Sequence, residues 1–536
     1  MDLETDVALA IILVAVVALL ILAQWARIPY PILLVLGGLG LAAAPGIPEV
    51  ELEPEVVLLV MLPPLLYAAA FFTPLRELRR NVRPISLLAI GLVLATTVVV
   101  AIVAHEALDF GWAEAFVLGA IVSPTDPVAA TSIARRLGVP GRIVTIVEGE
   151  SLVNDSTALI AYKFAVAAVV TGSFSLAEAS GEFVVSVLGG IGVGIAIGAV
   201  IASVRRRLDN PPVEITIALF SAYFAYLPAE ALGVSGVLAA VTVGIFMGRL
   251  TSRLTSPTTR IQGVAVWEIV TFLLNSALFV LVGLQLPTVI DGIEGLDTGE
   301  LIRDGALIAA TVMLVRIAWV FPLTYGPRRL FRRMRDSGPS PPWQETLLVA
   351  WNGMRGAVSL AAALALPLSV DAGGAFPDRE LIIFLTFSVI LATLLIQGLT
   401  LPPLIKLLGV DDADETLEVE ETLARLRATE AALERIAELE AEEWVLDDTA
   451  DRLRNAYRYR RRRFAARSPE GESDDGLGGD AVDYETRSAA YQRLLRELLE
   501  AQRAVVIAMR DRGEINDDAL RRIERELDLE DSRLEI

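Results

Sequence analysis

Several ionisable side chains lie within long apolar stretches of this sequence. Four of them are close together in the chain: Asp126, Glu148, Glu150 and Asp155. A charge at the centre of a lipid bilayer costs at least about 2.5–3.5 kcal/mol on insertion scales, so such residues usually face a cavity or a partner. These four acids are therefore the first candidates for chemistry inside a membrane.

Residues 123–127, Ser-Pro-Thr-Asp-Pro, place Thr125 and Asp126 between two prolines. Each proline lacks an amide donor and frees the carbonyl four residues earlier. Such a break is tolerated in lipid only where protein covers it or where it lines a cavity, and interrupted helices often mark transport sites. The motif predicts an oxygen-rich cation site. A structural kink capped by the aspartate is the alternative.

Two stripes of oxygen ligands follow on the next apolar segment. On a helix, Ser151 and Asp155 are neighbours at i,i+4, as are Glu150 and Asn154. Hard cations prefer such oxygens. A carboxylate that is either protonated or cation-bound is the simplest device for exchanging a proton against a cation. The spacing alone does not decide between Asp155 and Glu150 for this role.

Arg355 lies between Gly353 and Gly356, which weaken the helix around it. A buried arginine needs an anion, and Glu150 is the natural candidate. Pairing of Arg355 with backbone carbonyls at a helix break is the alternative. Glu268 and Arg316 are weaker candidates, either as structural partners of each other or as vestibule residues.

These side chains must be positioned by membrane-spanning helices, each of about 20 mostly apolar residues. We predict an all-α, polytopic membrane protein with thirteen spans, two of them interrupted. The fifth and twelfth spans cross the membrane in opposite directions, which fits an inverted repeat. The predicted spans are residues 7–24, 30–46, 55–73, 84–104, 112–134, 144–170, 183–204, 212–229, 234–248, 265–286, 302–325, 343–367 and 380–407.

The charges of the connecting loops predict the orientation. Arginine-rich loops alternate with acidic ones, and only Arg303 and Arg379 lie on the opposite side. Because short cytoplasmic loops accumulate Lys and Arg, the N-terminus is expected outside and the C-terminal tail in the cytoplasm.

The net charge of −20 is concentrated at the C-terminus, where residues 411–536 hold 35 of the 66 acidic and 21 of the 46 basic residues. We therefore predict a membrane domain over residues 1–410 and an acidic helical tail over 411–536, with helices near 418–444, 484–512 and 516–527 and a linker at 468–480. The absence of Cys and the single His exclude most metal and nucleophile chemistry, and the acid excess argues against nucleic-acid binding.

Three motifs together resemble the monovalent cation:proton antiporter-1 family, the bacterial sodium/proton antiporters. They are residues 123–127, residues 148–155 (Glu-Gly-Glu-Ser-Leu-Val-Asn-Asp) and residues 353–359 (Gly-Met-Arg-Gly-Ala-Val-Ser). Residues 62–67 and 272–279 resemble the third- and tenth-span motifs of the family. The similarity covers nearly the whole membrane part, and the tail resembles those of longer bacterial members.

The resemblance implies a role for each site residue. Asp155 is expected to bind the ion and the proton, with Asn154 beside it. The Thr125 backbone oxygen, Asp126 and Ser151 are expected to complete the shell around the transported Na⁺, directly or through water.

The resemblance also implies that Glu150 pairs with Arg355 and joins spans six and twelve. An Asn-Asp pair, in place of the Asp-Asp pair of electrogenic relatives, implies electroneutral exchange. The family fold is a homodimer with a moving six-helix core. One departure is that Tyr67-Ala68-Ala69 stands where many relatives carry an acid, so an auxiliary carboxylate is expected to be absent.

We therefore predict a secondary active antiporter, and not an enzyme, that exchanges a monovalent cation, foremost Na⁺, for H⁺ across the plasma membrane in pH and sodium homeostasis. No cofactor is expected, and the ligand of the tail is left open. A tail-gated monovalent cation channel and a K⁺(Li⁺)/H⁺ antiporter are the alternatives. An intramembrane hydrolase is disfavoured because the chain lacks a metal or nucleophile constellation.

Overall fold

The structure is a computed structural model, and it describes residues 14–23, 25, 29–44, 53–173, 175–293, 297–330, 341–371, 373–410, 415–440, 442, 444–465, 481–512, 514 and 517–532. The chain divides into two compact units, Met1–Ala413 and Asp414–Ile536. Every regular element in these described ranges is a helix. The predicted all-α fold class is confirmed.

The helices of the first unit are numbered here in chain order. They are α1 (Val14–Ala23), α2 (Tyr30–Ala42), α3 (Val56–Phe72), α4 (Leu75–Arg80), α5 (Val82–Leu108), α6 (Trp112–Val122), α7 (Val128–Arg136), α8 (Gly141–Thr171), α9 (Leu176–Arg205), α10 (Pro211–Ala231), α11 (Gly236–Leu254), α12 (Pro257–Leu284), α13 (Leu286–Asp291), α14 (Thr298–Leu330), α15 (Trp343–Trp351), α16 (Ala357–Leu364) and α17 (Arg379–Leu408).

Eight of these helices are long and apolar enough to cross a membrane: α5, α8 to α12, α14 and α17. Shorter apolar helices accompany them at α1, α2, α3 and α6. The length and composition of these helices confirm a multi-pass membrane protein. The count of thirteen spans stays a prediction.

Glycines let the membrane helices approach one another closely. A Cβ on Gly38 of α2 would lie 2.5 Å from the Val280 carbonyl oxygen of α12, and one on Gly283 of α12 would lie 2.3 Å from the Val35 carbonyl oxygen of α2. Because lipid is as apolar as the side chains, helix association in a membrane depends on such close packing rather than on hydrophobic burial.

Two helices are interrupted, as the prolines and glycines predict. α6 ends at Val122 and α7 begins at Val128, while α15 ends at Trp351 and α16 begins at Ala357. The breaks contact each other, because the backbone N–H of Asp126 donates to the Met354 carbonyl at 2.8 Å. Backbone groups that each break leaves without a helical partner are therefore satisfied partly by the other break.

The second unit is helical, as predicted, with α18 (Glu415–Leu439), α19 (Asp447–Ala465), α20 (Ala481–Asp511) and α21 (Asp517–Ser532). α18 packs against α19, and α20 packs against α21. The sequence prediction missed α19, which carries the arginine block. This helix has Asp447 and Asp448 in its first turn and arginines in its last turn. These charges interact favourably with the helix dipole and so stabilise the helix. The predicted linker at 468–480 lies outside the described residues.

Candidate cation site

The centre of the site is Thr125, in the break between α6 and α7. The Asn154 amide donates from Nδ2 to the Thr125 carbonyl oxygen at 3.1 Å and to its Oγ1 at 3.0 Å. Ser151 Oγ donates to the same carbonyl at 3.2 Å. Ser151 and Asn154 are three positions apart on α8 and so project from one face of the helix. This face of α8 holds the broken segment in place.

Asp155 is buried and lines a cavity of about 500 Å³. Thr125, Asp126 and Ser151 line the same cavity. Among the described residues, no side chain or backbone group hydrogen-bonds to the Asp155 carboxylate, and none forms an ion pair with it. The structure thus brings four of the five predicted ligands to one cavity, while Asn154 lies fully buried behind Thr125.

Asp126 lies at the starts of both short half-helices. Its Oδ1 accepts a hydrogen bond from the Val128 amide, at the start of α7, at 2.8 Å. At the start of α16, a Cβ on Gly356 would lie only 2.0 Å from Asp126 Oδ2. Helix N-termini favour negative charge, and the Asp126 carboxylate lies beside two of them, with a hydrogen bond to one, the start of α7. The capping role and the cation-site role are compatible, since the same carboxylate faces the cavity.

The predicted ion pair between Glu150 and Arg355 is wrong, because Glu150 is paired with Arg316 of α14. Arg316 NH1 and NH2 donate to Glu150 Oε1 and Oε2 at 2.5 and 2.7 Å. This two-pronged geometry is the strongest form of such a pair. Thr125 Oγ1 also donates to Glu150 Oε1 at 3.1 Å. Glu150 is therefore fully engaged in holding the site.

Arg355 instead satisfies backbone carbonyls at the two breaks. Its Nε donates to the Val122 carbonyl at 3.0 Å, at the end of α6, and its NH1 donates to the Gly353 carbonyl. The C-terminal end of a helix carries partial negative charge and favours such a cation. The alternative considered for Arg355, pairing with carbonyls at a helix break, is the observed one. Sequence spacing does not reveal that Arg316 of α14 reaches Glu150 of α8.

The remaining intramembrane charges fall into two groups. Lys163 pairs with Glu230 at 3.2 Å, and the buried Glu214 pairs with Arg205 at 3.4 Å. Both pairs are away from the cavity. Glu268 lines the cavity and does not pair with Arg316, so it is a vestibule residue.

The ion pair between Arg135 and Glu148 marks one end of the cavity. Their side chains meet at 2.7 Å, and that of Arg135 is 66% exposed. Both residues line the cavity that also contains Asp155. A path lined partly by polar groups therefore connects this exposed pair with the buried carboxylate.

Thr271 and Asn275 also line the cavity, although neither was predicted as a site residue from the sequence. Their positions three and seven residues after Glu268 could have indicated them, because residues with this spacing lie on the same face of a helix as Glu268. No group of three or more His, Asp or Glu residues in the described ranges is arranged to hold a metal ion. The oxygen-bearing residues that share the cavity with Asp155 include Asp126, Thr125 and Ser151, and oxygen ligands of this kind are those that hard cations prefer.

Comparisons with known proteins agree with this geometry. The family model for the transmembrane sodium/hydrogen exchanger matches residues 11–407. The chain is 37% identical over 534 residues, 98% of its length and 96% of the relative, to a Na⁺/H⁺ exchanger of Mycobacterium tuberculosis. It is 38% identical over 386 residues, 70% of its length and 57% of the relative, to the sodium, potassium, lithium and rubidium/H⁺ antiporter of Bacillus subtilis.

The solved sodium proton antiporter MjNhaP1 of Methanocaldococcus jannaschii shares the fold, with a TM-score of 0.60 and 21% identity over 76% of this chain and all of that chain. The likeness to this structure shows the fold, whereas the family match and the full-length relative show the family. The chain belongs to the sodium/hydrogen exchanger family, a family of cation/proton antiporters in the membrane.

Proposed function

We propose that this protein is a secondary antiporter that exchanges Na⁺ for H⁺ at the carboxylate of Asp155. The observation that carries the proposal is that this buried carboxylate has no partner in the described structure and yet faces a cavity. Burial disfavours an isolated charge, so a buried carboxylate without a partner is stabilised by either a proton or a cation. Two mutually exclusive occupants of one site are the basis of exchange.

The neighbouring charges support one exchangeable charge per cycle. Glu150 is paired with Arg316, and Asp126 accepts a hydrogen bond from the Val128 amide at the start of α7. Asn154 is uncharged and fixed by Thr125. Asp155 is the buried acid of the cavity that has no protein partner among the described residues, and one carboxylate that carries either one H⁺ or one Na⁺ gives electroneutral exchange.

The proposed ligands for Na⁺ are the Asp155 carboxylate, the Thr125 carbonyl oxygen and Ser151 Oγ, with Asp126 acting directly or through water. Ser151 Oγ and the Thr125 carbonyl are already 3.2 Å apart. Both retain lone pairs for a cation. Hard cations replace their hydration shell with such oxygens.

The direction of the cavity follows from the loop charges. Arg135, whose ion pair with Glu148 lines the cavity, is next to the loop between α7 and α8. That loop is expected in the cytoplasm, so the proposed cavity opens inward. Towards the other end of α8, Ser156 Oγ and Ser235 Oγ meet at 2.7 Å, and Lys163 pairs with Glu230. The proposal includes an external N-terminus, a cytoplasmic tail that starts near residue 411, and a homodimer.

Purified full-length protein in proteoliposomes tests the proposal. An outward-directed Na⁺ gradient is expected to acidify the lumen, and a valinomycin and K⁺ voltage clamp is expected not to change the initial rate. Li⁺ and K⁺ measured in parallel decide the cation, since a relative acts on all three. Current that is ohmic and independent of the proton gradient contradicts the proposal and favours the tail-gated channel.

A further inference from the structure

The cavity beside Asp155 has a second polar wall, on α12. Glu268, Thr271 and Asn275 all line this cavity. Their spacing of three and four residues places them on one face of the helix. The surrounding sequence, Val-Thr-Phe-Leu-Leu-Asn-Ser-Ala-Leu-Phe, is otherwise largely apolar. A polar stripe on an apolar membrane helix is costly unless it faces water or a ligand.

Glu268 is an acid of this cavity without a cationic partner. Among the described residues, no Arg or Lys forms an ion pair with it, and Arg316, its expected partner, is taken by Glu150. Glu148, the other acid at the cavity end, is paired with Arg135 at 2.7 Å. Within the described structure, Glu268 is therefore the carboxylate on the α12 wall, and no protein cation compensates its charge.

The cavity wall formed by α3 offers no carboxylate. Ala68 and Ala69 line the cavity there, at the position where the sequence departs from many relatives by lacking an acid. Of the two walls formed by α3 and α12, α12 is therefore the one that carries a carboxylate, Glu268.

We propose that Glu268, Thr271 and Asn275 form a staging site, which holds a hydrated monovalent cation in the cavity before the cation reaches Asp155. This inference rests on the proposed antiport function and adds a second binding position to it. The carboxylate attracts the cation, while the hydroxyl and the amide oxygen accept hydrogen bonds from its remaining water. The chemistry suits a hydrated monovalent cation, because a single carboxylate and neutral oxygens do not dehydrate it.

A staging site changes the rate at which a cation is captured from solution. It does not change the rate of the exchange step itself. A fixed negative charge in a narrow cavity raises the local cation concentration, and this effect weakens as salt screens it. Loss of Glu268 is therefore expected to raise the apparent KM for Na⁺ and to leave the maximal rate unchanged. A merely structural role would lower the maximal rate and would not depend on ionic strength.

The test is Glu268→Gln in proteoliposomes, with Na⁺ varied at fixed pH. The apparent KM is expected to rise about three- to tenfold, the size that focusing by one charge allows, with a maximal rate within about twofold of the wild type. In high choline chloride, where the Debye length falls to about 3 Å at 1 M, the difference in KM is expected to disappear. The matched control is Asp209→Asn, which removes one exposed acid that does not line the cavity.

The outcomes separate this inference from the proposed function. If the wild type exchanges Na⁺ and Glu268→Gln has an unchanged KM, or loses maximal rate alone, the staging site is wrong and the antiport function stands. If the wild type itself shows no proton-coupled flux, the proposed function fails.

A rescue variant guards against an indirect effect of the substitution. Ala69 is exposed and lines the α3 wall of the same cavity. Ala69→Glu in the Glu268→Gln background is expected to lower the apparent KM again, because a charge on either wall acts on the same space. If the double variant has the elution profile of the wild type and its apparent KM is not lowered, the electrostatic account is contradicted.

Discussion

Arg316 and Glu150 form a buried, two-pronged ion pair between α14 and α8, with distances of 2.5 and 2.7 Å. Arg316 Nε also donates to the Val349 carbonyl of α15 at 3.2 Å. Glu150 in turn accepts from Thr125. One guanidinium group thus connects α8, which carries Asp155, to the second interrupted helix. Among the described residues, Asp155 is then the buried acid of the cavity without a protein partner.

Removal of Arg316 is expected to destabilise the protein strongly. Arg316→Met leaves Glu150 buried without its partner, which costs about 3–5 kcal/mol in comparable cases. The apparent melting temperature in detergent, followed by fluorescence-detected size-exclusion chromatography, is expected to fall by many degrees. The matched control is Arg303→Gln, since that side chain is 64% exposed and its pair with Asp304 contributes little.

The double variant Glu150→Gln with Arg316→Met is expected to be more stable than Arg316→Met alone, because no charge is then left unpaired. Equal stability of Arg316→Met and the wild type would contradict the importance of this pair.

Gly356 is expected not to tolerate a side chain. Gly356→Ala places a Cβ 2.0 Å from Asp126 Oδ2, so either the aspartate or the break must shift. Transport is expected to be lost, and the melting temperature to fall. Gly192→Ala on α9 is the control, because a Cβ there meets nothing within 4 Å and alanine favours the helix by up to about 1 kcal/mol. If Gly356→Ala transports at the wild-type rate, Asp126 is not held against the start of α16.

Asn154 is predicted to act as a donor. Asn154→Asp replaces an amide that donates to both Thr125 oxygens with a carboxylate that, when ionised, only accepts hydrogen bonds. We expect at least a tenfold loss of initial rate, since two lost hydrogen bonds at about 1 kcal/mol each loosen the Thr125 carbonyl. Thr157→Val is the control, because within the described ranges Thr157 Oγ1 bonds to the Val153 carbonyl of its own helix and to no other group. Normal rates in Asn154→Asp would refute the donor role.

Much of this organisation could be predicted from the sequence. The prolines beside Thr125 and the glycines beside Arg355 predicted both helix breaks, because those residues act on the backbone locally. The i,i+4 spacing of Ser151 and Asp155 predicted a shared face of α8. Apolar length is likewise a local property, and it predicted helices able to cross a membrane. The orientation inferred from the loop charges stays a prediction.

The partners of the buried charges could not be predicted in the same way. Glu150 and Arg316 are 166 residues apart in the chain, and periodicity does not say which helices are neighbours. Arg355 also had a competing partner that sequence patterns do not display, the carbonyl of Val122 at the end of α6. Both errors arise because pairing of buried charges is decided by tertiary packing.

Protons and Na⁺ are expected to compete for the site. If one carboxylate binds either ion, lowering the pH raises the apparent KM for Na⁺ by up to about tenfold per pH unit where the protonated form dominates. The maximal rate at saturating Na⁺ is expected to stay constant over that range. Initial rates measured with symmetrical pH and varied Na⁺ test this. A maximal rate that falls with pH at constant KM would indicate separate sites for the two ions.

The most direct test of the central claim is Na⁺-driven pH change in proteoliposomes that contain Asp155→Asn. The amide neither binds a proton in the relevant range nor offers a negative charge to Na⁺. The account predicts no exchange above that of empty liposomes, with the same elution profile as the wild type. Proton-coupled Na⁺ flux at a rate near that of the wild type would contradict the assignment of Asp155 as the exchanging carboxylate.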